Sequence, residues 1–225
     1  MVLKNVKRNG RVRIEEVIQL VDRGRLVAIV RGDYRGAEGE IVRILADAGV
    51  SAVEVTLNSP GAIDSIRTMV AAAADHIAVG AGTVLRPDEV RAAAEAGASF
   101  IVSPNRDAGV IRETKRSGLA SFPGCLTPSE IVEALDAGAD AIKLFPARAL
   151  DPALIGDLRG PFGDIRFVPT GGIDPTRTRA FIAAGAWAVG IGSALVGGDL
   201  LTPGGLDRLA ARAAAFVTAA RVADG

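Results

Sequence analysis

The sequence predicts an α/β fold, a (β/α)8 TIM barrel with an extra N-terminal helix. Three observations predict it. Short β-branched runs recur eight times along the 225 residues, each followed by a longer alanine-rich stretch with helical spacing. Several helical stretches open on Pro after Ser, Thr or Asp and close on Gly, as helix caps prefer. One junction repeats, as ADAGVSAVEV, AEAGASFIVS, LDAGADAIKL and AAGAWAVGI. Each copy is a helix end, a glycine stop and the start of the next strand, and repetition of that unit favours a closed barrel over an open doubly wound sheet.

The elements follow in order. Residues 12–23, VRIEEVIQLVDR, are amphipathic and precede the first strand, so this helix should pack across the N-terminal end of the barrel. The strand runs are LVAIVR (26–31), AVEVTL (52–57), IAVGAG (77–82), SFIVS (99–103), LASFPG (119–124), AIKLFP (141–146), IRFVPT (165–170) and WAVGIG (187–192). Helices with clear signals lie between them at 60–73, 86–97, 127–138 and 174–185. No linker, low-complexity tract or shift in composition divides the chain, which reads as one domain over 1–225.

Composition narrows the function classes. Lys plus Arg and Asp plus Glu both number 26, so no global field favours nucleic acid or an anionic membrane. The single cysteine, Cys125, precludes an intramolecular disulfide framework and reads as a small buried residue; the single histidine, His76, reads as a loop residue. No signal-peptide core or membrane-length apolar run is present, and the expectation is a soluble cytoplasmic protein with no metal site.

Only four lysines occur in this arginine-rich chain. Lys4, Lys7 and Lys115 read as solvated, whereas Lys143 interrupts the apolar strand AIKLFP. Side chains alternate along a strand, so Ile142 and Leu144 should face the outer helices while Lys143 points into the barrel. The same parity in AVEVTL sends Glu54 inward. Two ionisable groups in one confined interior are costly unless they pair or do chemistry. A structural Lys143–Glu54 ion pair is one reading. The other is a desolvated, nucleophilic amine that attacks a ketone while the carboxyl shuttles protons.

Strands seven and eight end in PTGGI (169–173) and GIGSAL (190–195). Glycines there let backbone N–H groups approach an anion, and barrels often bind phosphate at these two loops. Ser193 would add a hydroxyl near the start of the eighth helix. Thr83, in GAGTVL after strand three, reads either as a ligand to a carboxylate or as a helix cap. Arg31 ends strand one, suited to a carboxylate or simply solvated at the rim.

The motifs EVTLNSP, GAGTVL, IVSPN, FPGC, AIKLFPA, PTGGI and GIGSAL stand in an order and spacing that resembles the pyruvate-dependent class I aldolases of 2-keto-3-deoxy-6-phosphosugar acids. The resemblance runs from about residue 26 to the end. It implies Lys143 as the Schiff-base lysine, Glu54 as general acid and base, Thr83, Pro104 and Phe145 around pyruvate, and Gly171, Gly172, Gly192 and Ser193 around phosphate. It also implies a cofactor-free and metal-independent enzyme, commonly a homotrimer, acting on a small phosphorylated keto acid. The gluconate branch usually carries an arginine where this chain has Asn58; the galactonate branch reads LNSP and carries an arginine ending strand one, as Arg31 does here. The expected reaction is cleavage of 2-dehydro-3-deoxy-6-phosphogalactonate to pyruvate and glyceraldehyde 3-phosphate. The alternatives are its gluconate epimer or 4-hydroxy-2-oxoglutarate as substrate, and a non-catalytic sugar-phosphate-binding barrel.

Overall fold

A computed structural model describes residues 12–221; Lys4 and Lys7, and the ends of the expected 1–225 domain, lie outside them. Helix α1 (Ile14–Gly24) comes first, followed by alternating strands and helices. Strands β1 (Leu26–Val30), β2 (Ala52–Thr56), β3 (Ala78–Gly82), β4 (Phe100–Val102), β5 (Ala120–Phe122) and β9 (Val189–Ile191) form a curled parallel sheet in the order β5-β4-β3-β2-β1-β9. Strands β6 (Gly124–Cys125), β7 (Ile142–Leu144) and β8 (Phe167–Pro169) form a second parallel ladder.

The expected fifth strand is therefore two short pieces. Pro123, which has no N–H to give to a ladder, separates them. The ring nevertheless continues through this break, because Ala141 and Lys143 donate to the carbonyls of Ser121 and Pro123 at 3.3 and 2.9 Å. At the other junction, Trp187 and Ala188 donate to Phe167 at 3.0 and 3.3 Å, and Thr170 bridges Gly190 in parallel. Eight strand positions thus surround one interior.

The intervening helices are α2 (Glu38–Asp47), α3 (Ala62–Ala72), α4 (Pro87–Glu95), α5 (Ala108–Arg116), α6 (Pro128–Asp136), α7 (Leu154–Phe162), α8 (Pro175–Ala183) and α9 (Gly205–Ala220). Thr127 and Asp174 cap α6 and α8 just ahead of Pro128 and Pro175, as the Thr-Pro and Asp-Pro pairs predict.

Strand parity sorts the core into two parts. Val53, Val55, Ile142 and Leu144 face outward into the layer between sheet and helices. Val27, Ala52, Ala78, Phe100, Phe122, Ala141, Val168 and Ala188 face inward and pack on Val17, Leu20 and Val21 of α1. Helix α1 thus closes the N-terminal end, as its amphipathic pattern predicts. Trp187 fixes it further, its Nε1 donating to Asp22 at 2.9 Å. With that end filled by apolar side chains, the opposite end is where polar groups can gather.

Lys115 is not the solvated residue expected. Its ammonium lies 2.6 and 2.7 Å from the two oxygens of Asp140, which also accepts the N–H of Ser121. Cys125 is buried and His76 is exposed in a turn, both as expected. No described helix is long and apolar enough to cross a membrane.

Candidate active site

Above the apolar layer the inward positions change character. Glu54 and Lys143 are only 1 % and 5 % exposed, on strands β2 and β7. The neighbours of Glu54 are small by necessity. A Cβ on Gly82 would stand 2.6 Å from Oε1 of Glu54, and one on Gly190 would stand 2.3 Å from Oγ1 of Thr170. These two glycines hollow the upper interior so that a carboxyl and a hydroxyl can occupy it.

The two ionisable groups sense each other without forming a direct ion pair among the described residues. Burial is the main influence on Lys143 and lowers its pKa; nearby Arg31 lowers it further, and Glu54 acts in the opposite sense. Burial likewise raises the Glu54 pKa, against the opposing pull of Lys143 and Arg31. Both shifts act in favour of the uncharged forms, the amine and the carboxylic acid. Such an amine carries an available lone pair, and the acid holds a proton it can deliver. Cys125 offers no rival nucleophile, because burial pushes its thiol up to about 12 and keeps it protonated.

Lys143 opens into a cleft of about 510 Å³ at the C-terminal ends of the strands. Arg31, Thr83, Pro104, Phe145, Gly171, Gly172, Gly192 and Ser193 all line it. Glu54 lies beneath, around a smaller cavity that it shares with Lys143. The Lys143 Nζ sits 5.2 Å from the centre of the Phe145 ring.

The structure decides between the two readings of Thr83 and departs from expectation at Ser193. Thr83 caps no helix: Arg86 is the N-cap of α4, while Thr83 sits at φ 58° and its Oγ1 accepts from Arg31 at 3.3 Å. The left-handed backbone turns the hydroxyl toward the arginine. Ser193 does not begin a helix either. It lies in a turn in which Leu195 and Val196 donate to the Gly192 carbonyl, and α9 starts only at Gly205. Asn58 is exposed in the turn after β2 and is not among the residues lining the cleft, whereas Arg31 is.

The glycine loops have anion-binding geometry. No described residue accepts the N–H groups of Gly172 or Ser193, and Gly171 and Gly172 hold φ of 100° and 69°. Among the described residues, no group of three His, Cys, Asp or Glu side chains is arranged to hold a metal ion.

Sequence reasoning missed Arg148. It follows β7 in a short 3-10 turn, Ala147–Ala149, and lines the cleft with the others. The rule that polar residues after strand C-termini matter points to it in KLFPAR.

Comparison with known proteins gives consistent results. A family profile described as KDPG and KHG aldolase matches residues 17–212. The chain is 41 % identical over 200 residues to the 2-dehydro-3-deoxy-6-phosphogalactonate aldolase of Escherichia coli strain K12, covering 88 % of this chain and 95 % of that one. It is 35 % identical over 183 residues to the KHG/KDPG aldolase of the same strain, covering 81 % and 85 %. A solved native KDPGal structure superposes with a TM-score of 0.81 at 40 % identity, covering 87 % of this chain and 94 % of that one.

Proposed function

Because the chain belongs to the KDPG and KHG aldolase family, we propose that it cleaves 2-dehydro-3-deoxy-6-phosphogalactonate to pyruvate and glyceraldehyde 3-phosphate through a Schiff base on Lys143. The observation that carries the reading is a buried lysine at the floor of an open cleft, with no described carboxylate neutralising it directly and a buried carboxyl beside it.

In this mechanism the neutral amine of Lys143 attacks C2 of the keto acid. Glu54, in its acid form, gives the proton that lets water leave, and the resulting iminium withdraws electrons from C3. The Glu54 carboxylate, directly or through one water, then takes the C4 hydroxyl proton. The C3–C4 bond breaks, its electron pair flows into the iminium, and glyceraldehyde 3-phosphate departs. Protonation of the enamine and hydrolysis release pyruvate and restore the amine. Arg31 and Thr83 hold the substrate carboxylate, Pro104 and Phe145 enclose the pyruvyl carbons, and the N–H groups of Gly171, Gly172, Gly192 and Ser193 receive the phosphate. The identity to the E. coli phosphogalactonate enzyme and Arg31 at the cleft, with Asn58 away from it, support the galactonate epimer over the gluconate one.

Turnover of the two C4 epimers in one assay coupled to pyruvate reduction tests the substrate. A higher kcat/KM for the galactonate series is the expected outcome, and preference for the gluconate epimer overturns it. The chemistry is tested by pyruvate and borohydride, which should leave a reduced pyruvyl group on Lys143. Protonation removes the lone pair, so trapping should slow as pH falls through the lysine's pKa. Since burial lowers that pKa, the midpoint is expected well below the ordinary value of 10.5. A midpoint at or above 10.5 would mean a solvated amine.

We further infer one domain over 1–225, a cytoplasmic location and a homotrimeric assembly. These rest on the unbroken composition and the family resemblance, and a monomeric mass by sedimentation would refuse the trimer.

A further inference from the structure

We propose that Arg148 is the residue by which this aldolase selects phosphorylated keto acids over unphosphorylated ones. The proposal rests on the aldolase reading and extends it, since backbone N–H groups alone recognise an anion without supplying a full positive charge.

The cleft is lined by three cations: Lys143, Arg31 and Arg148. The amine of Lys143 is committed to the carbonyl carbon. Arg31 ends the β1 run and is engaged with Thr83, on the sector of β1 and β3. Arg148 stands on a different sector, between β7 and β8, beside the glycine loop. No described carboxylate pairs with it, and its side chain is exposed to the cleft. A substrate with a carboxylate at one end and a phosphate at the other needs cations on separate sectors. The ring of strands provides that separation.

The local packing aims Arg148 at the glycine loop. A Cβ on Gly172 would stand 2.9 Å from Nε of Arg148 and 3.0 Å from its Cβ, so the arginine lies against Gly172 and only a glycine leaves it room. The turn that carries it is also tied down. Ala147 donates to Thr170 at 2.8 Å, and Arg177 of α8 donates to the carbonyls of Ala147 and Leu150, both at 2.9 Å. Arg177 spends its guanidinium on these carbonyls. Arg148 is left as the guanidinium beside the N–H of Gly172, which no described residue accepts, a fork suited to phosphate oxygens.

The test compares wild type, Arg148→Gln and Arg148→Lys with 2-dehydro-3-deoxy-6-phosphogalactonate and its unphosphorylated analogue. Loss of a charge-assisted contact should lower the phosphorylated-to-unphosphorylated ratio of kcat/KM by about 10- to 100-fold in the glutamine variant, mainly through KM. The lysine variant, which keeps the charge but not the fork, should recover part of the ratio. Inorganic phosphate should compete with the phosphorylated substrate about tenfold less effectively against the glutamine variant than against wild type. An unchanged ratio, or equal losses on both substrates, overturns the proposal. Pyruvate trapping on wild-type Lys143 separates the two levels: no adduct means that the aldolase reading has failed, whereas an adduct with an unchanged ratio rejects Arg148 alone.

Discussion

Lys143→Met is expected to abolish cleavage, by about 10⁴-fold or more in kcat, while leaving the protein as thermally stable as wild type or more so. The loss follows from the mechanism: without the amine there is no iminium, and the catalysis left after loss of a covalent nucleophile is that of binding and electrostatics alone. The stability has a separate cause. A lysine whose folded-state pKa is lowered costs the native state stability, because the unfolded chain binds the proton more readily. The cost is absent above the ordinary value of 10.5, grows as pH falls, and is complete below the folded pKa. Methionine fills similar space with no charge, so at neutral pH that cost disappears. Each kcal/mol relieved should raise Tm by about 2–4 °C. Steady-state kinetics and thermal melts check both halves. A purely structural Lys143–Glu54 pair predicts the reverse, little functional consequence and a native state weakened by about 3–5 kcal/mol.

For Glu54→Gln the expected result is a fall in kcat of about 10²- to 10⁴-fold, the usual range for loss of a positioned acid or base. Glutamine preserves the shape against Gly82, where there is no room for anything larger. It cannot cycle a proton. Pyruvate and borohydride should still label Lys143, more slowly, because the nucleophile remains and only the proton transfers around it are impaired. The pH profile should also change. Wild-type kcat/KM should fall at low pH as Lys143 takes up a proton and at high pH as Glu54 loses the one it must deliver, and the limb owed to Glu54 should vanish in the variant. Turnover within tenfold of wild type would remove Glu54 from the mechanism.

Particular residues show how far the sequence reaches. Glu54 and Lys143 were legible because strand parity has a period of two: once Val53, Val55, Ile142 and Leu144 are read as facing the helices, the polar residues between them must turn inward. The glycine turns were legible because glycine is the residue that tolerates φ of 100° and 69°. Helix α1 was legible from its one apolar face, which found Val27, Phe100 and Phe122 to cover.

Other features had no such period. Pro123 breaks strand five, yet its carbonyl still accepts from Lys143, and only the neighbouring strand decides that the ring stays joined. Thr83 takes a left-handed backbone although it is β-branched, and its hydrogen bond to Arg31 spans 52 residues. Lys115 looked solvated because Asp140, its partner, lies 25 residues away.

The sequence by itself determined the alternation of strands and helices, the inward aim of Lys143 and Glu54, and the placing of glycine at two loop turns, because these depend on local periodicity and backbone freedom. Only the tertiary structure decided that Gly82 and Gly190 make room for Glu54 and Thr170, that Arg31 turns to Thr83, and that Arg148 lies on Gly172. Those relations join residues from different strands of a closed ring. Their distances are set by curvature and packing, which no local pattern along the chain records.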